Sequence, residues 1–156
     1  HKLVDKVLDV SKLESGTYSP KMSNIIVYDL CHEIVCSFEL NNHKTNIKLN
    51  SDTNDVEHCK TIISDKSRLE AAINSLIEIA SANSKSNYIY LSYKFGYKSI
   101  SFITSHTGSI PQNERKDISL SWQMIKLTAE LLKGKSYKVE DQDGSIRYIL
   151  EVLTNI

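Results

Sequence analysis

At 156 residues the chain is long enough to bury one sizeable core, with room for a short appendage. Its 40% hydrophobic and 24% charged content is that of an ordinary globular protein, and nineteen basic residues against nineteen acidic ones leave no electrostatic footprint for nucleic acid or an anionic membrane. No apolar run approaches the roughly 20 residues that a bilayer span needs, and no secretory signal is present, so neither class of segment organises the chain.

The chain opens inside a helical pattern at His1, without a Met, which reads as a piece cut from a longer protein. His1 to Glu14 is predicted as a helix, because Leu3, Val7 and Val10 recur at four and three residues, with Val4 and Leu8 broadening the stripe. Gly16 stands at the helix C-cap position and Pro20 follows. An extended stretch runs to about Ile26, and Asp29 opens a second helix with Leu30, Ile34, Val35 and Phe38 on one side. The Asn41-Asn42 pair ends it. Asn46 to Asn50 alternates as a half-buried strand, with Ile47 and Leu49 inward. Ser51 to Glu57 is a polar loop and Cys59 to Ile63 a short strand. Ser64 or Asp65 caps a third helix whose apolar residues, Leu69, Ala72, Ile73, Leu76, Ile77 and Ala80, form a wide buried face. The polar run Ser81 to Asn87 closes it. A hairpin follows, Tyr88 to Phe95 and Ser99 to Ser105, joined at Gly96. A loop covers Thr107 to Lys116. The last helix runs from the region of Trp122 toward Gly134, and the strands Lys135 to Val139 and Ile146 to Leu153 meet at the Asp143-Gly144-Ser145 turn. Strands and helices do not alternate strictly, so the expected fold is an α/β (α+β) two-layer sandwich, a mixed sheet with helices on one face.

Cys31, Cys36 and Cys59 are odd in number and lack CxxC spacing, which excludes a disulfide framework and a zinc site. They are expected to be small buried hydrophobes in a reducing cytosol. His58 beside Cys59 is a weak candidate nucleophile pair, since adjacent side chains rarely face each other.

Several runs resemble one family. Val7-Leu-Asp-Val-Ser-Lys-Leu-Glu-Ser-Gly16 resembles the "LLDLSRLESG" end of the second dimerisation helix of sensor histidine kinases. Tyr28 to Phe38 looks like the first helix of their ATP-binding domain. Asp65-Lys-Ser-Arg-Leu69 resembles the "D-x-x-R-L" that opens the helix carrying the magnesium-binding Asn. The closing helix, Gly134, strand, Asp-Gly turn and strand resemble that domain's last third. Together they resemble a degenerate histidine kinase ATPase-like domain of the superfamily that includes gyrase and MutL, called the Bergerat fold, in a texture similar to Bacteroidetes two-component kinases. The resemblance implies residues 1–16 as the end of a dimerisation helix and 17–156 as the ATPase-like domain.

Carried over residue by residue, the resemblance also implies that the nucleotide site is degenerate. The two Asn positions of the third helix fall on Ser75 and Ile79, and Ile79 has no ligand atom for a hard cation. Asn74 is one residue off, about 100° around the helix, and reads as a surface amide; Glu78 is also out of register. The box that normally reads "D-x-G-x-G-I-P" is Ser105-His106-Thr107-Gly108-Ser109-Ile110-Pro111. His106 thus takes the adenine-binding Asp position, Gly108 remains, and the second glycine is missing. The glycines that let bare backbone approach the phosphates fall on Ser119 and Ser121. A lid of about 20 residues is expected between those boxes, a functional loop length, whereas six residues separate Pro111 from Ile118.

The implied role is a docking, scaffold or phosphotransferase-type module in two-component phosphorelay, without ATP hydrolysis. ATP and magnesium, the family's cofactors, are expected to be lost, and no metal site is expected. The implied partners are a response regulator receiver domain and a second copy, bound through Leu3, Val7 and Val10. No nucleic acid and no membrane contact are expected of this cytoplasmic segment, although a longer parent could be membrane-anchored. A phospho-accepting His would lie upstream of His1. The alternatives are an active kinase with unorthodox ATP binding, and a purely structural dimerisation module.

Overall fold

The computed structural model describes residues 2–41, 45–50, 59–86, 88–114 and 116–154. His1, the Asn42 half of the helix stop, the Ser51 to Glu57 loop, His58 and Asn87 lie outside the described residues. The helices are α1 (Lys2–Glu14), α2 (Val27–Asn41), α3 (Lys66–Asn83) and α4 (Ser119–Leu131), and the strands are β1 (Met22–Ile26), β2 (Asn46–Asn50), β3 (Thr61–Asp65), β4 (Tyr88–Gly96), β5 (Ser99–Thr107), β6 (Lys135–Glu140) and β7 (Ser145–Leu153).

Five strands form one sheet in the order β2-β4-β5-β7-β6. β2 runs parallel to β4 and the other pairs are antiparallel, so the sheet is mixed as expected. β1 and β3 form a separate antiparallel pair. Alternation along the strands sends Ile89, Leu91, Ile100, Phe102, Tyr148 and Leu150 into one buried layer. Helices α2, α3 and α4 cover that layer and share its hydrophobic cluster.

α3 is the central helix. Its six predicted core residues are all buried, and so are Arg68, Ser75, Ile79 and Asn83, because α2, α4 and the sheet enclose it on several sides. The Thr104 hydroxyl donates to the Leu76 carbonyl at 3.0 Å and ties the helix to the sheet. Its N-cap is Asp65, in extended conformation, whose carboxylate accepts from the Arg68 amide at 3.2 Å and from Ser67 Oγ at 3.0 Å. The other carboxylate oxygen accepts from Tyr18 Oη at 2.6 Å and from the Lys21 amide at 2.9 Å. Burial works against this charge, but the bonds from Tyr18, Lys21, Arg68 and Ser67 outweigh it and hold the carboxyl below the usual carboxylate range.

Several boundaries differ from the sequence reading. α2 begins at Val27, β3 is displaced to Thr61–Asp65, and α3 extends to Asn83. The β4–β5 turn is made by Tyr97 and Lys98, the latter at φ 55°, with Gly96 still in the strand. Of the cysteines only Cys31 is buried, its thiol pushed up to about 12 by that burial, while Cys36 and Cys59 are exposed. Both sit on polar surface, which hydrophobic pattern alone did not reveal. Gly134 is required by close approach: a Cβ there would lie 1.7 Å from the Glu151 carbonyl oxygen. No helix among the described residues is long and apolar enough to cross a membrane.

Candidate functional site

A cleft of about 820 Å³ opens between α1, α3, the start of α4 and the loop that follows β5. Helix α1 lies along α4 rather than projecting away. Lys6 forms an ion pair with Glu78 of α3. Ser121 of α4 donates to the same Glu78 oxygen at 2.9 Å and accepts from Lys6 Nζ at 3.2 Å. Asp9 pairs with Arg68 at 3.5 Å, and Gln123 donates to Glu14. Polar links from Lys6, Asp9 and Glu14 therefore fasten α1 to α3 and α4. Asn74 and Glu78, placed out of register by the sequence reading, both line this cleft, and Asn74 is half-buried rather than a surface amide. A helix whose neighbours crowd several of its faces has no purely exposed side at that position.

Ser75 also lines the cleft, but it is 1% exposed and its hydroxyl donates to the Ala71 carbonyl of its own helix at 3.0 Å. Ile79 is fully buried in the apolar cluster, deeper than the edge-of-stripe position the sequence suggested. It does not line the cleft.

His106 is likewise buried, at 1% exposure. Its Nδ1 lies 3.0 Å from the Gly108 carbonyl oxygen, which can only accept, so Nδ1 carries the proton. Nε2 lies 3.0 Å from Tyr148 Oη, and that oxygen lies 3.1 Å from Asn83 Nδ2, so both ring nitrogens are hydrogen-bonded inside the protein. The His106 and Tyr148 rings stack at 5.6 Å between centroids, and Trp122 meets Tyr148 edge-on at 5.9 Å. Tyr148 and Asn83 did not emerge from the sequence reading. The available signal was a Tyr at an inward position of β7, since a buried phenol needs a polar partner.

The short loop after β5 is stitched onto the end of α3. Ile110 N donates to the Asn83 carbonyl at 2.9 Å, Lys85 N donates to the Gly108 carbonyl at 3.3 Å, and Ser84 and Ser109 form a bridge. Gly108, exposed on the rim, adopts φ +70°, the left-handed region that its lack of Cβ permits. A single 3₁₀ turn at Gln112–Glu114 fills the space where a lid was expected.

The exposed Ser119 opens α4, three residues before the predicted Trp122 region. Its amide donates to Asp117 Oδ1 at 3.0 Å and its hydroxyl to the same oxygen at 2.7 Å. These two bonds hold the Asp117 carboxyl below its usual range. An anion is therefore already seated at the helix N-terminus, and the weak anion attraction expected there is taken up within the chain.

ATP and magnesium do not fit these residues. Ile79 offers no oxygen, both ring nitrogens of His106 are engaged inside the core, and Asp117 places like charge at the amide where a phosphate would bind. Glu78 is joined to Lys6 and Ser121, so a cation would have to displace an existing pair. Among the described residues no three His, Cys, Asp or Glu side chains stand together as a metal site. No phosphoryl-transfer step is derived from this geometry.

No protein-family profile matches the chain, and no curated protein matches it in sequence. Solved structures do. The Acinetobacter baumannii histidine kinase AdeS is 16% identical with a TM-score of 0.75, over 99% of this chain and 78% of that one. The ATP-binding domain of PrrB from Mycobacterium tuberculosis is 16% identical with a TM-score of 0.68, over 86% of this chain and 98% of that one. Full-length ShkA, solved in complex with AMPPNP, is 14% identical with a TM-score of 0.77, over 97% of this chain and 35% of that one. The chain thus has the fold of histidine kinase ATP-binding domains.

Proposed function

We propose that this chain is an ATPase-fold module of a two-component sensor that works without nucleotide, as a docking, scaffold or phosphotransferase-type part of a phosphorelay. The observation that carries this reading is the Asn83–Tyr148–His106–Gly108 chain. It turns the side chain at the adenine-recognition position into the core and commits both of its nitrogens. The stitched-down loop and the Asp117 carboxylate on the Ser119 amide support the same reading at the phosphate end. Titration calorimetry with ATP and magnesium is expected to be flat at millimolar ligand. A dissociation constant in the micromolar range would overturn the proposal.

In this reading the partner is a response regulator receiver domain, the setting is cytoplasmic, and a second copy joins through the α1 region. Leu3, Val4, Val7 and Leu8 are exposed together on α1, while Val10 is buried at 4%. The seam available to a second copy is therefore the 3-4-7-8 face, with Val10 facing its own domain.

A second reading, a kinase with an unorthodox nucleotide mode, is favoured by the size of the cleft, which falls within the range of small-molecule sites. It requires α1 to leave Glu78. Lys6→Glu sets like charges against each other and opens that contact, so ATP binding by this variant alone would support the second reading.

A further inference from the structure

Among the described residues the far face of the sheet carries no helix, since α2, α3 and α4 all pack on the other side. Half of that face is built by β2, β4 and β5. None of these three strands contains an Asp or Glu, although the chain has nineteen. The other half is different: on β6, β7 and their turn, Lys135, Lys138 and Arg147 are paired with Glu151, Glu140 and Asp141.

Strand register places the outward side chains of the acid-free half. Lys48 stands opposite Tyr90, and Tyr90 opposite Ser105. Asn50 stands opposite Ser92, and Ser92 opposite Ile103; Lys94 stands opposite Ser101. Tyr88 is 61% exposed and Tyr90 38%. Lys48 and Lys94 are exposed, and neither has a carboxylate partner among the described residues. Among the described residues this tyrosine- and serine-bearing surface thus carries two cations without a carboxylate partner.

We infer that the outer face of β2, β4 and β5 is a docking surface for an acidic protein partner. Tyrosine, serine and asparagine form the adaptable contact chemistry of protein recognition surfaces, giving area and hydrogen bonds at low entropic cost. Two cations are too few for a polybasic membrane site, which takes about 4–8 of them, or for a phosphate-tracking groove. Charge complementarity selects an acidic partner and excludes a basic one. Four strand residues separate the level of Lys48 from Lys94, about 13 Å along the sheet. The matching partner is a helix with carboxylates eight residues apart, about 12 Å, and apolar side chains between them to cover Tyr90 and Ile103. This inference does not depend on the nucleotide reading.

The probe is a synthetic amphipathic helix carrying two Glu residues eight positions apart, with Leu and Ala between them on the same face. Its binding to the isotopically labelled chain is followed by amide chemical shifts. Shifts are expected on β2, β4 and β5, and are expected to need a higher concentration of the Glu→Gln peptide. The double variant Lys48→Glu/Lys94→Glu should bind about tenfold more weakly, an effect that shrinks in high salt, with an unchanged melting temperature. Absence of binding at millimolar peptide, shifts confined elsewhere, or an undiminished affinity of the double variant would overturn the inference. So would tighter binding of single-stranded RNA or phosphatidylserine vesicles by this same face.

Discussion

Replacing Ile79 by Asn restores, in name, the residue type that binds magnesium in the resembled family. The surroundings predict damage instead of repair. Ile79 has no exposed surface and belongs to the central apolar cluster of α3. Removing the branched side chain forfeits its burial, on the order of 2 kcal/mol. An amide without a partner adds about 1–3 kcal/mol. The sum, about 4 kcal/mol, is a large share of the roughly 5–15 kcal/mol that holds a typical domain together. For a chain of this length each kcal/mol moves the melting temperature by about 2–4 °C, so Ile79→Asn should melt about 12 °C lower. Ile79→Val, which deletes one methylene and adds no polar group, should cost only about 1 kcal/mol. Circular dichroism melts of the three proteins measure this. The same melts with ATP and magnesium test binding: ligand at 100 times its dissociation constant raises stability by about 2.7 kcal/mol, a shift of roughly 8 °C. An Ile79→Asn melting point within two degrees of the parent, or one that climbs with ATP, would refute the placement of Ile79 as core.

Other substitutions test other parts of the structure. Asp65 has a lowered folded-state value, so its contribution is fully present above its unfolded pKa of about 4 and fades as pH falls through the lower folded value. Asp65→Asn keeps an acceptable N-cap but loses charge-assisted bonds; it should be about 1–2 kcal/mol less stable at neutral pH in urea unfolding, with the gap closing below pH 4. Gly134→Ala drives a methyl into the Glu151 carbonyl and should lower stability by about 3 kcal/mol or prevent folding, read as loss of soluble, cooperatively melting protein. Leu3→Glu with Val7→Glu should abolish self-association in sedimentation while leaving the melt unchanged, whereas Val10→Glu should lower the melting temperature. A Leu3/Val7 variant that remains as associated as the parent would place the interface elsewhere.

Elements with strong local signals were legible from the chain. The β2 strand lies where alternation placed it, and α3 starts at the Asp65 cap, because alternation, helical period and capping are properties of neighbours in sequence. The mixed sheet followed from the order of elements. The beginning of α2 and the start of β3 were less legible, since neither Val27 nor Thr61 is a cap or breaker that marks a boundary. Long-range partners were not legible at all. Nothing local says that Lys6 meets Glu78 or that Tyr148 closes on His106, forty-two residues away.

The sequence by itself determined the order of elements and the buried faces of α2 and α3. Only the tertiary structure decided what particular side chains do. His106 stood in sequence at the adenine-binding Asp position of the resembled family, and the fold brought Tyr148 and Gly108 to its two nitrogens. Val10 looked like part of an outward seam, until α1 lay down along α4 and separated it from Leu3 and Val7. The reason is physical: residue type and period set what a side chain can offer, and the directional bonds of a buried group depend on partners that only the folded chain brings within about 3 Å.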